Sequence, residues 1–246
     1  MNNQKVELLS PAGNLEKLKI AIKYGADAVY AGVSHFSLRI RAGKEFTFET
    51  FKEGIDYAHA HGKKVYATIN GFPFNSQIEL LKKHIATMAS LEPDGFIVAA
   101  PGVVKLCREI APQIDIHLST QANVLNYLDA QVFWDMGVKR IVVAREISLK
   151  DVVEIKKHLP DMEIEIFVHG SMCFAYSGRC LVSAVQMGRV PNRGSCANDC
   201  RFEYTLYAVN EDHNTLFRLE EEPGVGTYIF NAKDMNLASH IQEILD

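Results

Sequence analysis

Val65-Tyr66-Ala67-Thr68-Ile69, then Ile78-Glu79-Leu80-Leu81-Lys82-Lys83-His84-Ile85-Ala86-Thr87-Met88-Ala89-Ser90, then Gly95-Phe96-Ile97-Val98-Ala99, is the stretch that decides the fold. A short β-rich run, an amphipathic stretch with apolar residues at helical spacing and a second short apolar run make one β-α-β unit. The same rhythm extends in both directions. Strands are predicted over Val6 to Leu9, Ala28 to Ala31, Ile114 to Leu118, Arg140 to Val143 and Glu163 to Val168. Helices are predicted over Leu15 to Tyr24 with Asn14 as N-cap, Glu49 to His61, Val103 to Ile110, Val124 to Met136 and Leu149 to His158, several closing on Gly25, Gly62 or Gly137. Regular alternation with right-handed crossovers implies a parallel sheet, and this many units favours an α/β TIM-like (β/α) barrel over an open doubly wound sheet. No Gly-x-Gly-x-x-Gly follows the first strand, so a dinucleotide-binding loop is missing.

After Val168 the rhythm changes. Residues 1–169 hold seven barrel units, 170–202 form a cysteine- and arginine-rich segment, and 203–246 read as a β-hairpin and a terminal helix over Met235 to Leu245. The hairpin strands are expected at Phe202 to Val209 and Thr227 to Phe230, with turns at Asn210 to Asn214 and Glu220 to Gly226. Seven barrel strands leave the barrel incomplete at the C-terminus, with an unpaired edge that invites homodimerisation.

Composition restricts the chemistry. A chain of 246 residues, 48% of them hydrophobic, can bury a substantial core. No basic-then-apolar leader opens it and no apolar run has membrane length, so a cytoplasmic protein is expected, with no membrane partner. A net charge of -4 argues against indiscriminate nucleic-acid binding.

Four of the five cysteines, Cys173, Cys180, Cys196 and Cys200, are spaced C-x6-C-x15-C-x3-C. In a reducing compartment such a group is a metal site more often than a disulfide framework. Four thiolates satisfy a 4Fe-4S cluster or a closed tetrahedral zinc site; the iron-sulfur reading is preferred, zinc is the alternative, and four unconnected surface thiols is the bland one. Arg179, Arg189, Arg193 and Arg201 surround them, and positive charge there would lower thiolate pKa values or hold an anionic substrate. Cys107, on an apolar helix, reads as core.

Strand parity adds a second site. If Val65, Ala67, Ile69, Ile114, Ile116, Leu118, Ile164, Ile166 and Val168 face the helices, then Tyr66, Thr68, Asn70, Asp115, His117, Ser119, Glu165, Phe167 and His169 face inward. Polar groups at the C-terminal ends of barrel strands mark a substrate pocket, with Asn70, Ser119, Gln121, Arg145, Glu146 and His169 best placed; a satisfied hydrogen-bond network is the competing account.

The stretch Glu165-x-Phe167-x-x-Gly170-Ser171-Met172-Cys173 followed by Gly178-x-Cys180-x-Val182-Ser183 resembles the signature of the collagenase-like peptidase family U32. The likeness extends through Leu9-Ser10-Pro11-Ala12-Gly13, Gly25 to Tyr30, Ser37-Leu38-Arg39, Ser119-x-Gln121-Ala122-Asn123 and Pro191-Asn192-x-Gly194. The resemblance implies an RNA-modifying hydroxylase: the tRNA-hydroxylating members of the family form 5-hydroxyuridine at the wobble position with prephenate as co-substrate. Other members are oxygen-independent hydroxylases carrying 4Fe-4S clusters in this region. By that likeness Cys173, Cys180, Cys196 and Cys200 are the cluster ligands. Arg39, Arg41, Arg145 and Arg179, with Asn70, Ser119 and Gln121, are candidates for binding the small dicarboxylate, and Glu165 and His169 for proton transfer. A peptidase acting on collagen-like substrates and a non-catalytic binding fragment are the alternatives. Family members of this type continue past Tyr228 to Asp234 into a further strand and domain, so a fragment of a longer protein is expected.

Overall fold

The computed structural model describes residues 6–33, 36–38, 46–212, 214–219 and 227–245. Seven strands, β1 (Leu9–Pro11), β2 (Ala28–Ala31), β3 (Lys64–Ile69), β4 (Gly95–Val98), β5 (Asp115–Leu118), β6 (Arg140–Val142) and β7 (Glu163–Glu165), pair in chain order, all parallel. Helices α1 (Leu15–Lys23), α2 (Phe48–Ala60), α3 (Ile78–Ser90), α4 (Pro101–Ile110), α5 (Tyr127–Asp135) and α6 (Leu149–His158) connect them. The expected β/α alternation and count of seven are present.

The sheet curls, and side chains prove it. Glu7, just ahead of β1, accepts hydrogen bonds from Tyr66 of β3 at 2.8 Å and from Arg140 of β6 at 2.6 Å. Residues on the first, third and sixth strands meet only if the sheet wraps around its own axis. Parity follows the sequence reading: Val65, Ala67, Ile69, Ile116 and Leu118 join the main core under the helices, while Tyr66 packs inside with Ala28 and Ile97.

Local signals explain the boundaries. Asn14 caps α1 by accepting from the Lys17 N–H at 2.9 Å, and Gly25, Gly62 and Gly137 take positive φ after their helices. The fifth helix starts at Tyr127, later than the expected Val124, because Asn126 takes the cap position and accepts from the Asp129 N–H at 3.0 Å. The first strand starts at Leu9, not Val6, since Val6 and Leu8 are half exposed ahead of the pairing with β2.

The C-terminal part corrects three expectations. The seventh strand ends at Glu165, and a separate strand β8 (His169–Gly170) follows. After the short helix α7 (Val182–Met187), the hairpin is β9 (Tyr207–Asn210) with β10 (Thr215–Arg218), not Thr227 to Phe230. The turn after Asn210 closes at once on Thr215, with Asn214 at φ 48°, so the nearest partner wins; Thr227 instead meets Tyr204, whose N–H donates to its carbonyl at 3.0 Å. The expected turn at Glu220 to Gly226 lies outside the described residues. Met235 to Leu245 is not one helix: β11 (Met235–Asn236) pairs antiparallel with β8, and α8 covers only Ile241–Leu245. The Asn236 side chain accepts from the Ala238 N–H at 3.1 Å, a local bond that competes with helix start. No described helix is long and apolar enough to cross a membrane.

Candidate active site

The two ends of the barrel differ in kind. Arg140 opens β6 and points inward, where it pairs with Glu7, with Glu163 at 2.6 Å and more distantly with Glu165 at 3.9 Å. Its guanidinium lies 5.1 Å over the Tyr66 ring, which meets His117 edge-on at 4.4 Å. Glu7, Arg140 and Glu163 sit at the N-terminal ends of their strands, opposite the face where barrel active sites form, whereas Glu165 closes β7. The sequence reading placed Tyr66, His117 and Glu165 inward but missed Arg140 and Glu7; a charged residue opening an otherwise apolar strand was the available signal.

Glu165 is the unusual member. Burial raises its carboxyl to about 7, with Arg140 opposing and Glu7 adding to the rise. Its Oε2 is buried and, among the described residues, accepts no hydrogen bond. Burial likewise pushes His117 down to about 3, helped by the positive charges of Arg140, Lys139 and Lys64. His169, four residues beyond Glu165, is exposed on β8, and no hydrogen bond or ion pair joins the two among the described residues.

At the C-terminal mouth the polar residues form a connected lattice. Ser119 Oγ donates to Gln121 Oε1 at 3.0 Å, Gln121 Nε2 donates to the Asn70 carbonyl at 3.1 Å, and Asn70 Oδ1 accepts from the Leu38 N–H at 3.0 Å. Ser119 and Gln121 are buried. These bonds frame the mouth. Glu146 is exposed, and Arg39 and Arg41 lie outside the described residues.

The cysteine-bearing segment is laid across this mouth. Gly178 takes φ +76° and sits against Gln121, so close that a Cβ there would stand 2.8 Å from Gln121 Nε2. Arg145 donates to Ser177 Oγ at 2.9 Å while stacking on Phe167 at 4.2 Å, and the Phe72 N–H donates to the Asn192 carbonyl at 3.4 Å. Arg193 lies 4.5 Å over the Phe74 ring. Arg179 is exposed. The contacts run from three strand ends of the barrel to residues 177, 178, 192 and 193, so the thiol-bearing loop and the predicted substrate residues belong to one place.

Within the segment, Ser183 is the organiser. Its hydroxyl bonds the Asp199 carboxylate, accepts from the Ala197 N–H at 3.1 Å and lies 4.0 Å from Cys196 Sγ. Tyr204 adds a bond to the Asp199 carbonyl at 2.9 Å. Ser183 and Asp199 are 2% and 1% exposed, so the loop carrying Cys196 and Cys200 is anchored from inside. Sequence reading gave neither residue a role.

The Cys200 thiol is raised above its ordinary value by burial, opposed by Arg201, and raised further by Cys173, Cys196 and Cys180. Arginine does lower it, as expected, but burial wins. Among the described residues no three His, Cys, Asp or Glu side chains close around one point as a single ion requires. Cys107 is fully buried, which pushes its thiol up to about 12 and leaves it inert.

Comparison with known proteins places this geometry. Residues 13–246 match the family model described as peptidase family U32. A protein of Helicobacter pylori (strain J99) named tRNA hydroxylation protein P is 76% identical over 241 residues, covering 98% of this chain and 57% of that protein. The 23S rRNA 5-hydroxycytidine C2501 synthase of Escherichia coli is 32% identical over 246 residues, covering 100% of this chain and 35% of the relative. A collagenase of Porphyromonas gingivalis is 30% identical over 256 residues, 100% of this chain and 59% of that one. The solved structure of the U32 peptidase Mk0906 superposes with TM-score 0.59 at 16% identity over 70% of this chain and 72% of that one, a likeness of fold. The chain thus spans little more than half the length of the tRNA hydroxylation relative.

Proposed function

The chain belongs to peptidase family U32, and on that premise we propose that it is the barrel portion of an RNA-modifying hydroxylase, acting on wobble uridine of tRNA to give 5-hydroxyuridine with prephenate as co-substrate. One observation carries the reading: the segment that bears the four cysteines is seated on the C-terminal mouth, in a sequence 76% identical to a tRNA hydroxylation protein. That a 32% identical relative hydroxylates a pyrimidine of ribosomal RNA makes RNA pyrimidine hydroxylation the shared chemistry.

In this reading Cys173, Cys180, Cys196 and Cys200 hold a 4Fe-4S cluster, which supplies electron transfer when bound; zinc, the alternative, fits a tighter tetrahedron of ligands. Arg145, its plane fixed by Phe167 and Ser177, takes a carboxylate of the dicarboxylate. Ser119, Gln121 and Asn70 keep the mouth rigid. Glu165, half protonated near neutrality, is the proton reservoir on the inner side, and His169, exposed on β8, is the second proton-transfer group. The test is mass analysis of tRNA nucleosides from a strain lacking the gene, complemented with the full-length protein. Restoration of 5-hydroxyuridine is expected; an undiminished level in the deletion strain would defeat the proposal.

The family label and the collagenase relative favour a second reading, a peptidase of collagen-like substrates. Glu165 and His169 would be its metal ligands, yet Glu165 faces Arg140 and the cysteines are left without a role. Gelatin cleavage that survives replacement of all four clustered cysteines would favour it.

A further inference from the structure

Residues 170–202 carry four arginines and one carboxylate in a chain of net charge -4. The carboxylate, Asp199, is 1% exposed and bonded to Ser183, so it does not neutralise the surface. Arg201 is held internally by the Met172 carbonyl, Asn231 and Asp234. Arg179, Arg189 and Arg193 make no ion pair among the described residues. This segment of an acidic chain is therefore basic, and it is the segment that covers the barrel mouth.

Aromatic rings interleave with that charge. Phe74, on the loop after β3, is 60% exposed yet has the Arg193 guanidinium over one face at 4.5 Å. Phe174 and Tyr176 are 47% and 56% exposed in the same segment. A large exposed ring beside an arginine, as at Phe74, is what single-stranded RNA uses: phosphates take arginines and unstacked bases take rings, whereas a duplex hides its bases. An acidic protein partner would need the arginines but not the rings.

Resting on the functional reading above, we propose that this face docks an unpaired RNA loop, with Arg179 and Arg189 on phosphates and a base stacked at the Phe74–Arg193 pair. The pair is tied to the mouth by the Phe72 to Asn192 backbone bond, so a nucleotide stacked there stands at the barrel mouth.

The test is binding of a labelled anticodon stem-loop to the full-length protein across a salt series. Phe74→Ala should weaken binding about 5- to 100-fold with the salt slope unchanged, and Phe74→Trp should restore it. Arg179→Ala and Arg189→Ala should each lower the slope of log K against log salt by about 0.7. A fully paired RNA of the same length should bind more weakly and be indifferent to Phe74→Ala. Binding of the stem-loop within twofold of wild type in Phe74→Ala, or unchanged slopes in both arginine variants, would overturn the proposal. Loss through the arginines alone would point to an acidic or non-stacking partner and also overturn it. Nucleoside analysis separates the two levels: if wild type restores 5-hydroxyuridine while these variants bind as wild type does, the surface is wrong and the activity stands.

Discussion

Gly178 and Gln121 occupy complementary space: the buried Gln121 amide fills the volume that a side chain at 178 would need, 2.8 Å from its Cβ position. Through that contact a loop of the cysteine segment is seated on the fifth strand's end, and the rest of the site is built on it.

Gly178→Ala must therefore meet two costs, a left-handed φ of +76° and collision with a bonded amide. Gly188, at φ +63° with open space around it, carries only the first. Gly188→Ala is expected to lose about 1–2 kcal/mol and Gly178→Ala distinctly more, read from urea midpoints. Equal losses would mean that Gln121 yields and the seat is loose.

Stability should respond to pH through the barrel interior. Burial raises Glu165 from 4.5 to about 7, so the stability it holds is complete below pH 4.5 and is lost as pH rises towards 7. His117, lowered from 6.5 to about 3, does the opposite: its contribution is complete above pH 6.5 and is lost as pH falls towards 3. Each slope is about 1.4 kcal/mol per pH unit, and between pH 4.5 and 6.5 they cancel. A plateau is expected there, with stability falling on both sides. Glu165→Gln should remove the alkaline decline and leave the acid one, measured by denaturant unfolding between pH 3 and 9; an unchanged alkaline limb would place the Glu165 carboxylate in water.

Ser183→Ala removes a hydroxyl that serves the Ala197 N–H and the buried Asp199 carboxylate together. Leaving both unsatisfied should cost roughly 2–4 kcal/mol locally and loosen Cys196 and Cys200. Iron retained after chelator challenge is the readout, with Ser183→Thr expected to retain more than Ser183→Ala. Equal retention in wild type and Ser183→Ala would remove Ser183 from the site.

Much of the fold was legible because its signals are local. Repeated apolar runs, Asn14, and glycines after helices are written into adjacent residues, and parity alone separated Val65, Ala67 and Ile69 from Tyr66 and Thr68. The C-terminal part resisted for the opposite reason. Hairpin residues Tyr207, Val209, Leu216 and Phe217 are all more than half exposed, so burial left no periodic mark, and Met235–Asn236 became a strand only by meeting His169–Gly170, over sixty residues away. The cysteines were readable as a group; that Ser177, Gly178 and Asn192 would clamp them to Arg145, Gln121 and Phe72 depended on contacts that spacing cannot reveal. Polarity at strand ends was found, while its division into a framing lattice at one end and an Arg140 network at the other required coordinates.

The most direct measurement is iron and acid-labile sulfide in full-length protein purified without oxygen, alongside the Cys173→Ala variant. A brown protein with about four irons and matching sulfide, lost in the variant, is the expected result. A colourless protein with stoichiometric zinc and no sulfide would contradict the iron-sulfur centre placed over the barrel mouth.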